Sequence, residues 1–323
     1  MLDFHVFHYF AVGLSIAIAG FGVPIGVGIA VKGLIDGTLR QVWAYQRNFN
    51  TLIMGTLMIE SSLALAFIAA FVTLLAPPSV ITLPVAIAEF GSCIGMGVTA
   101  AFVAIAVGYT VRTCCVSVAR NPFEVRRIQV FMFILMTLIE TPVIFSFLIW
   151  LFVRTKVGDI QTYVEGMKLC AAGFAMAIGS IGSAIGQKLF VEKACRAIGH
   201  NMDVYNKIFT LAIITEAMIE TPILLTFIMS IMMILRVVSP LVVGVGVYVF
   251  FAAAIAMGFG SSAVAIGIGR VGGSAASQIS RSPESYGTIL ATTFISQAFV
   301  ETSSLFSFLV ALLIVMRVTI WKA

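Results

Sequence analysis

Apolar stretches of twenty or more residues recur from one end of this 323-residue chain to the other, and they leave almost no choice of fold. The hydrocarbon core of a bilayer is roughly 30 Å thick and takes about 20 helical residues to cross. Eight stretches reach that length, near 7–35, 49–76, 83–111, 128–153, 167–191, 208–237, 241–269 and 287–318. What remains between them is too short for a soluble domain. Composition agrees: 60% of the residues are apolar and 10% charged, where a soluble domain is about a quarter charged. The expectation is an all-α membrane protein of eight transmembrane helices.

Charge sets the orientation. Of the nineteen Lys and Arg, thirteen cluster around alternate loops, at 32–47, 112–127, 188–207 and 270–281. Basic loops stay on the cytoplasmic side, so these four are expected there, or on the equivalent matrix side of an organelle. The intervening loops, such as Ala76 to Pro84 and Arg236 to Pro240, are short and poor in charge, and both termini are expected on the opposite side. The +5 net charge is thus accounted for by topology, without a nucleic-acid partner. The first ten residues carry Asp3 and no Lys or Arg, unlike a cleaved signal peptide. Cys93, Cys114, Cys115, Cys170 and Cys195 have neither metal-site nor disulfide spacing, and read as packing residues.

One glutamate lies inside each even-numbered apolar stretch: Glu60, Glu140, Glu220 and Glu301, at spacings of 80, 80 and 81. Twenty residues before each stands a basic or imidazole residue in the basic loop: Arg40, Arg120, His200 and Arg281. The chain therefore reads as four tandem hairpins, 1–80, 81–160, 161–240 and 241–323. Two spans per unit return the chain to its starting side, so the units are parallel repeats, which inverted-repeat transporters are not.

The two helices of a unit differ. In the first, a column spaced 4, 3, 4 is small nearly throughout: Ser15, Ala19, Gly22, Gly26; Gly95, Thr99, Phe102, Ala106; Ala175, Gly179, Gly182, Gly186; Ala256, Gly260, Ala263, Gly267. That spacing holds one helical face, and small residues on it let helices approach closely in lipid. The first helices are expected to form a tight inner layer. The second helices carry Phe, Leu, Ile and Met around the glutamate, as in Phe131 to Trp150, and suit a wider outer layer.

A carboxylate at the bilayer centre costs on the order of 2.5 to 3.5 kcal/mol on insertion scales. Hydrocarbon favours the neutral acid, so a glutamate there can carry a proton. Four in register, each followed by a hydroxyl residue (Ser61, Thr141, Thr221, Thr302), point to ion transfer, with that hydroxyl able to bond the acid or help ligate a cation.

These residues resemble the c subunit (proteolipid) of rotary ATP synthases, four times over. Ala119-Arg120-Asn121-Pro122 is similar to that family's Ala-Arg-Gln/Asn-Pro turn; Arg281-Ser282-Pro283 and Arg40-Gln41 are degraded versions, and His200-Asn201 departs furthest. Gln297-Ala298-Phe299-Val300-Glu301-Thr302 resembles the F-type signature around the ion-binding acid. The resemblance implies a ring of hairpins formed with other copies of the chain in an energy-transducing membrane, bacterial or mitochondrial. In it the four glutamates turn through lipid against the stator a subunit, the polar loops face the central stalk, and the chain itself is a non-catalytic rotor subunit of ATP synthesis without cofactor or resident metal. Fusion in fours makes the hairpin total of a ring divisible by four.

Sodium-binding members of that family place a glutamine 33 residues before the acid and a tyrosine five residues after it. Here the first position holds Val27, Val107, Gln187 and Ile268, and the second Leu65, Phe145, Leu225 and Phe306. The proton is therefore the expected ion. The third unit is unusual, because Glu216 lies one turn before Glu220 where the others have Thr56, Met136 and Gln297. Two carboxyls so close disfavour double ionisation; either this unit binds its ion differently or Glu216 shares a hydrogen bond with Glu220. A V/A-type or sodium-coupled rotor, a parallel-repeat transporter or channel, and a purely structural oligomer stay open. The sequence favours none of these, because the sites are nearly equivalent and little else in the membrane looks polar. Its scattered His5, His8 and His200 make no catalytic group.

Overall fold

The computed structural model describes residues 4–78, 80–237 and 246–320. The start of the seventh stretch at 241, Pro240, Asp3 and both chain ends lie outside these. The inner helices are α1 (Phe4–Arg40), α3 (Leu83–Arg120), α6 (Tyr163–His200) and α8 (Gly246–Arg281). The outer ones are α2 (Tyr45–Leu75), the pair α4 (Val125–Ile139) and α5 (Thr141–Lys156), α7 (Tyr205–Leu235) and α9 (Tyr286–Ile320). Among the described residues eight helical spans result, each long and apolar enough to cross a membrane.

The inner helices run well past the ends expected from apolarity alone, to Arg40, Arg120, His200 and Arg281. At 38 residues, α3 and α6 are about 57 Å long, more than the whole bilayer with its headgroups. Their polar ends therefore project from it. Each ends in the same way, with one extended residue (Gln41, Asn121, Asn201, Ser282; φ −147°, −128°, −143°, −132°) followed by a single 3₁₀ turn. Pro122 and Pro283 enforce that bend on the residue before them. In the third loop, which lacks proline, Asn201 Oδ1 accepts from the Asp203 N–H at 3.0 Å and makes the same bend.

The inner helices pack in chain order, α1 on α3, α3 on α6 and α6 on α8, each covered on one side by its outer helices. The small columns are what allow this. A Cβ on Gly108 would fall within the backbone of Gly26, and one on Gly269 within that of Gly186. Van der Waals contact of this kind drives helix association in lipid. The α8 column is the exception: Ala263 is exposed, and Gly260 and Gly267 face Ser307 and Val300 of α9. No further inner helix follows α8 within the chain.

One outer span is broken. Helicity lapses at Glu140, between α4 and α5. Pro142 stands at the break and offers no N–H to the carbonyl four residues earlier, which is Leu138, although Pro222 at the same place in the third hairpin leaves α7 continuous.

Candidate ion-binding sites at the hairpin interfaces

Because the hairpins pack side by side, each outer helix meets the one before it at the level of the glutamates. Ser61 Oγ donates to Glu140 Oε1 at 2.6 Å and lies 2.7 Å from the Met58 carbonyl. Thr141 Oγ1 repeats the pattern, 3.0 Å from Glu220 Oε1 and 2.7 Å from the Leu138 carbonyl. Thr221 lies beside Glu301 in the same sense, with its hydroxyl also 3.1 Å from the Ala217 carbonyl. The sequence expectation is corrected here. The hydroxyl after a glutamate does not bond that glutamate; it serves the glutamate of the next hairpin, because successive helices of the outer layer present those two positions to each other.

Three such pairs close within the chain, and the fourth is left in halves. Glu60 is exposed, and Thr302, also exposed, donates to its own helix at the Phe299 carbonyl, 2.7 Å away. Glu140, Glu220 and Glu301 are half-buried.

The third site is the most polar. Gln187, fully buried on α6, donates through Nε2 to the Leu138 carbonyl at 3.4 Å, the carbonyl released by Pro142. Glu216 is fully buried beside Gln187, and its neighbour Thr215 accepts from Gln297 Nε2 at 3.2 Å. Gln187 is the hydrogen-bonding neighbour of Glu216, and of the two alternatives for this acid a bond to Glu220 is not seen among the described residues.

The polar loops also interlock. Asn121 Nδ2 donates to the Gly199 carbonyl at 2.8 Å and Asn201 Nδ2 to the Ser280 carbonyl at 3.5 Å. Arg47 and Lys207 reach the carbonyls of Pro122 and Pro283 at 2.5 and 2.7 Å. Arg40, Arg120, His200 and Arg281 are exposed, whereas Gln41, Asn121, Asn201, Ser282 and Pro283 are partly covered. Pro122, expected to face the stalk, is buried.

One polar cluster escaped the sequence reading, which saw little else polar in the membrane. His8 Nδ1 lies 2.6 Å from Glu89 Oε2, and Arg154 donates to Glu89 Oε1 at 3.0 Å. All three sit at the end of the helices away from the basic loops, with His8 and Glu89 buried between α1, α3 and α5. The available signal was Glu89 itself, an isolated acid early in an apolar span. All five cysteines are free and buried. Among the described residues no group of three or more His, Cys, Asp or Glu is placed to hold a metal ion.

The chain is similar to known proteins in the same repeating way. The model of the ATP synthase c subunit family matches residues 90–153, 170–233 and 251–314. The ATP synthase c subunit of Syntrophobacter fumaroxidans is 36% identical over 77 residues, 24% of this chain and 86% of that protein. Its counterpart in Geobacter metallireducens is 38% identical over 77 residues, 24% of this chain and 85% of that protein. One of two ATP synthase c subunits of Syntrophotalea carbinolica is 39% identical over 72 residues, 22% of this chain and 77% of that protein. Each relative thus corresponds to about one hairpin, and the three family matches contain Glu140, Glu220 and Glu301. With its membrane-length helices and repeated hairpins, this integral membrane chain belongs to the family of ATP synthase c subunits.

Proposed function

We propose that the chain is a rotor subunit of an F-type ATP synthase, in which Glu60, Glu140, Glu220 and Glu301 each bind and release a proton against the stator a subunit. The observation that carries this reading is the repeated pairing of an outer-helix acid with a hydroxyl from the preceding hairpin. A protonated glutamate, hydrogen-bonded and neutral, can turn through lipid. An ionised one meets the insertion penalty unless a cation faces it, and the stator arginine supplies that cation. Rotation is thereby tied to protonation, and each charge crossing 100 mV delivers about 2.3 kcal/mol.

Copies of the chain close a ring in which the Thr302 of one meets the Glu60 of the next. The basic loops face the central stalk on the cytoplasmic or matrix side, and membrane lipids surround the outer helices. The F-type assignment rests on the acid present in every hairpin and on the Arg120-Asn121-Pro122 turn. The proton is favoured over sodium by Val27, Val107 and Ile268, which offer no oxygen where Gln187 stands in the third hairpin.

Carbodiimide labelling of the native membrane with peptide mapping tests the proposal, because the reagent reacts with protonated, accessible carboxyls. Labelling at all four glutamates, unaffected by sodium, is expected. Sodium protection at all four would replace the proton by sodium, and no labelling at any of them would overturn the reading.

A further inference from the structure

The four basic loops are alike in backbone but not in what they display. The first two carry aromatic side chains on their outside: Trp43 is 60% exposed and Phe123 86% exposed. Their rings lie 5.8 Å apart, and the Arg47 guanidinium stands over both, 5.7 Å from the Trp43 ring and 5.9 Å from that of Phe123. Arg47 also donates to the Pro122 carbonyl, so it ties the first loop to the second and holds the two rings together. Val42, beside Trp43, is exposed as well.

Phe123 belongs to an inner hairpin, with hairpin 1 on one side and hairpin 3 on the other. Its exposure is therefore not the result of a missing neighbouring copy. Lipid does not cover it either. Seventeen residues separate Phe123 from Glu140 and Trp43 from Glu60, roughly 25 Å of helix, against about 22 Å from the centre of a bilayer to the outer edge of its headgroups. With the glutamates at the centre, both rings stand in water. Contiguous exposed apolar surface marks an interaction site, and tryptophan and arginine are the side chains most often found at the energetic centre of one.

The register sharpens the point. The position of Trp43 and Phe123 is held by Asp203 in the third loop and Glu284 in the fourth, both exposed. Charge divides in the same place. Residues 40–47 and 120–127 carry Arg40, Arg47, Arg120, Arg126 and Arg127 against Glu124, whereas 200–207 and 281–288 carry Lys207 and Arg281 against Asp203 and Glu284. One half of the loop face is thus aromatic and strongly cationic, and the other half acidic at the tip and balanced in formal charge. An acidic partner with an apolar side chain to bury fits the first half and is repelled from the tips of the second.

We propose that Trp43 and Phe123, clamped by Arg47, are the docking point of the central stalk on the rotor, taking an apolar side chain of the stalk flanked by carboxylates, once per chain and not once per hairpin. This rests on the reading of the chain as a rotor subunit.

The test uses the complete synthase in its native membrane and measures the carbodiimide-sensitive ATP hydrolysis that stays membrane-bound through washing. The double variant Trp43→Ala with Phe123→Ala is expected to retain several-fold less than the unmodified protein, with carbodiimide labelling of Glu140 unchanged as the sign of an intact rotor. Trp43→Phe with Phe123→Leu, which keeps apolar surface, and Asp203→Ala with Glu284→Ala are both expected to retain it in full. A second measurement needs no disruptive variant. In the purified synthase in liposomes, the fluorescence that Trp43→Phe removes is expected to be shielded from acrylamide until the peripheral part is stripped away, and untouched by lipids brominated on their acyl chains. Full retention by the alanine double variant, equal loss in the Asp203 and Glu284 variant, acrylamide access unchanged by stripping, or quenching by brominated lipid would each overturn the docking point alone. Absence of membrane-bound, carbodiimide-sensitive hydrolysis with the unmodified chain would overturn the rotor reading, and the proposal with it.

Discussion

Glu60 and Glu140 hold the same place in their hairpins, each twenty residues after an arginine of the basic loop, yet their surroundings differ. Glu140 is half-buried and takes a hydroxyl at 2.6 Å from the hairpin before it; Glu60 is exposed, with no hairpin before it in the chain. A site is thus a property of the interface between two hairpins and not of either one. The inner layer says the same. Gly97, Ala101, Ala104 and Gly108 of α3 are buried against α1, while their register mates eighty residues earlier, Ala17, Phe21, Pro24 and Gly28, are all exposed. The first hairpin leaves exposed the face that the second hairpin buries.

The sharpest way to break this comparison is at the acids. In membrane vesicles, Glu60→Gln and Glu140→Gln are both expected to reduce ion-driven ATP synthesis to background, because under the proposed function every site passes the stator in each turn. Survival of activity in one of them would show that the two sites are not equivalent in use. Next comes the inner layer. Gly108→Leu drives a side chain into the Gly26 backbone and should prevent the chain from folding, whereas Gly28→Leu, with nothing within 4 Å, should leave a folded chain that no longer assembles with its copies. Native mass spectrometry in detergent separates the two outcomes.

A third test uses the buried cluster at the first interface. Arg154→Leu removes the guanidinium from Glu89 and leaves His8 as its remaining partner in the cluster. Breaking a buried pair typically costs about 3–5 kcal/mol, so a clear loss of thermal stability in detergent is expected. The smallest effect is Ser61→Ala, which removes one hydrogen bond worth about 0.5–1.5 kcal/mol. Carbodiimide labelling should change by up to about tenfold at Glu140 and not at all at Glu60, reversing what the order of residues in the sequence implies.

The architecture was legible because it is written in spacing. Helical length, the 80-residue period and the small columns each follow from geometry within one helix or from simple repetition. The pairing of Ser61 with Glu140 was not legible, because it depends on how one outer helix is set against the next, and 79 residues of sequence separate the partners. The same holds for His8, Glu89 and Arg154, brought together across separations of 81 and 65 residues. Pro142 was visible, but its effect on Leu138 mattered only once Gln187 was seen to reach the released carbonyl. Helix ends were underestimated because apolarity stops at the membrane boundary, whereas the helices continue into water up to the Gln41 and Asn121 bends.

Confinement of Gln187 and Glu216 to one hairpin in four carries a kinetic consequence. In a ring of identical hairpins every step is interchangeable with the last, and any change to the gene alters all of them at once. Fusion removes that constraint, so a single position in each chain can diverge while its three neighbours are held. A rotor assembled from this chain would advance with a four-beat cadence, three similar dwells and one distinct, and single-molecule rotation records would carry the boundary of each polypeptide as a rhythm in time.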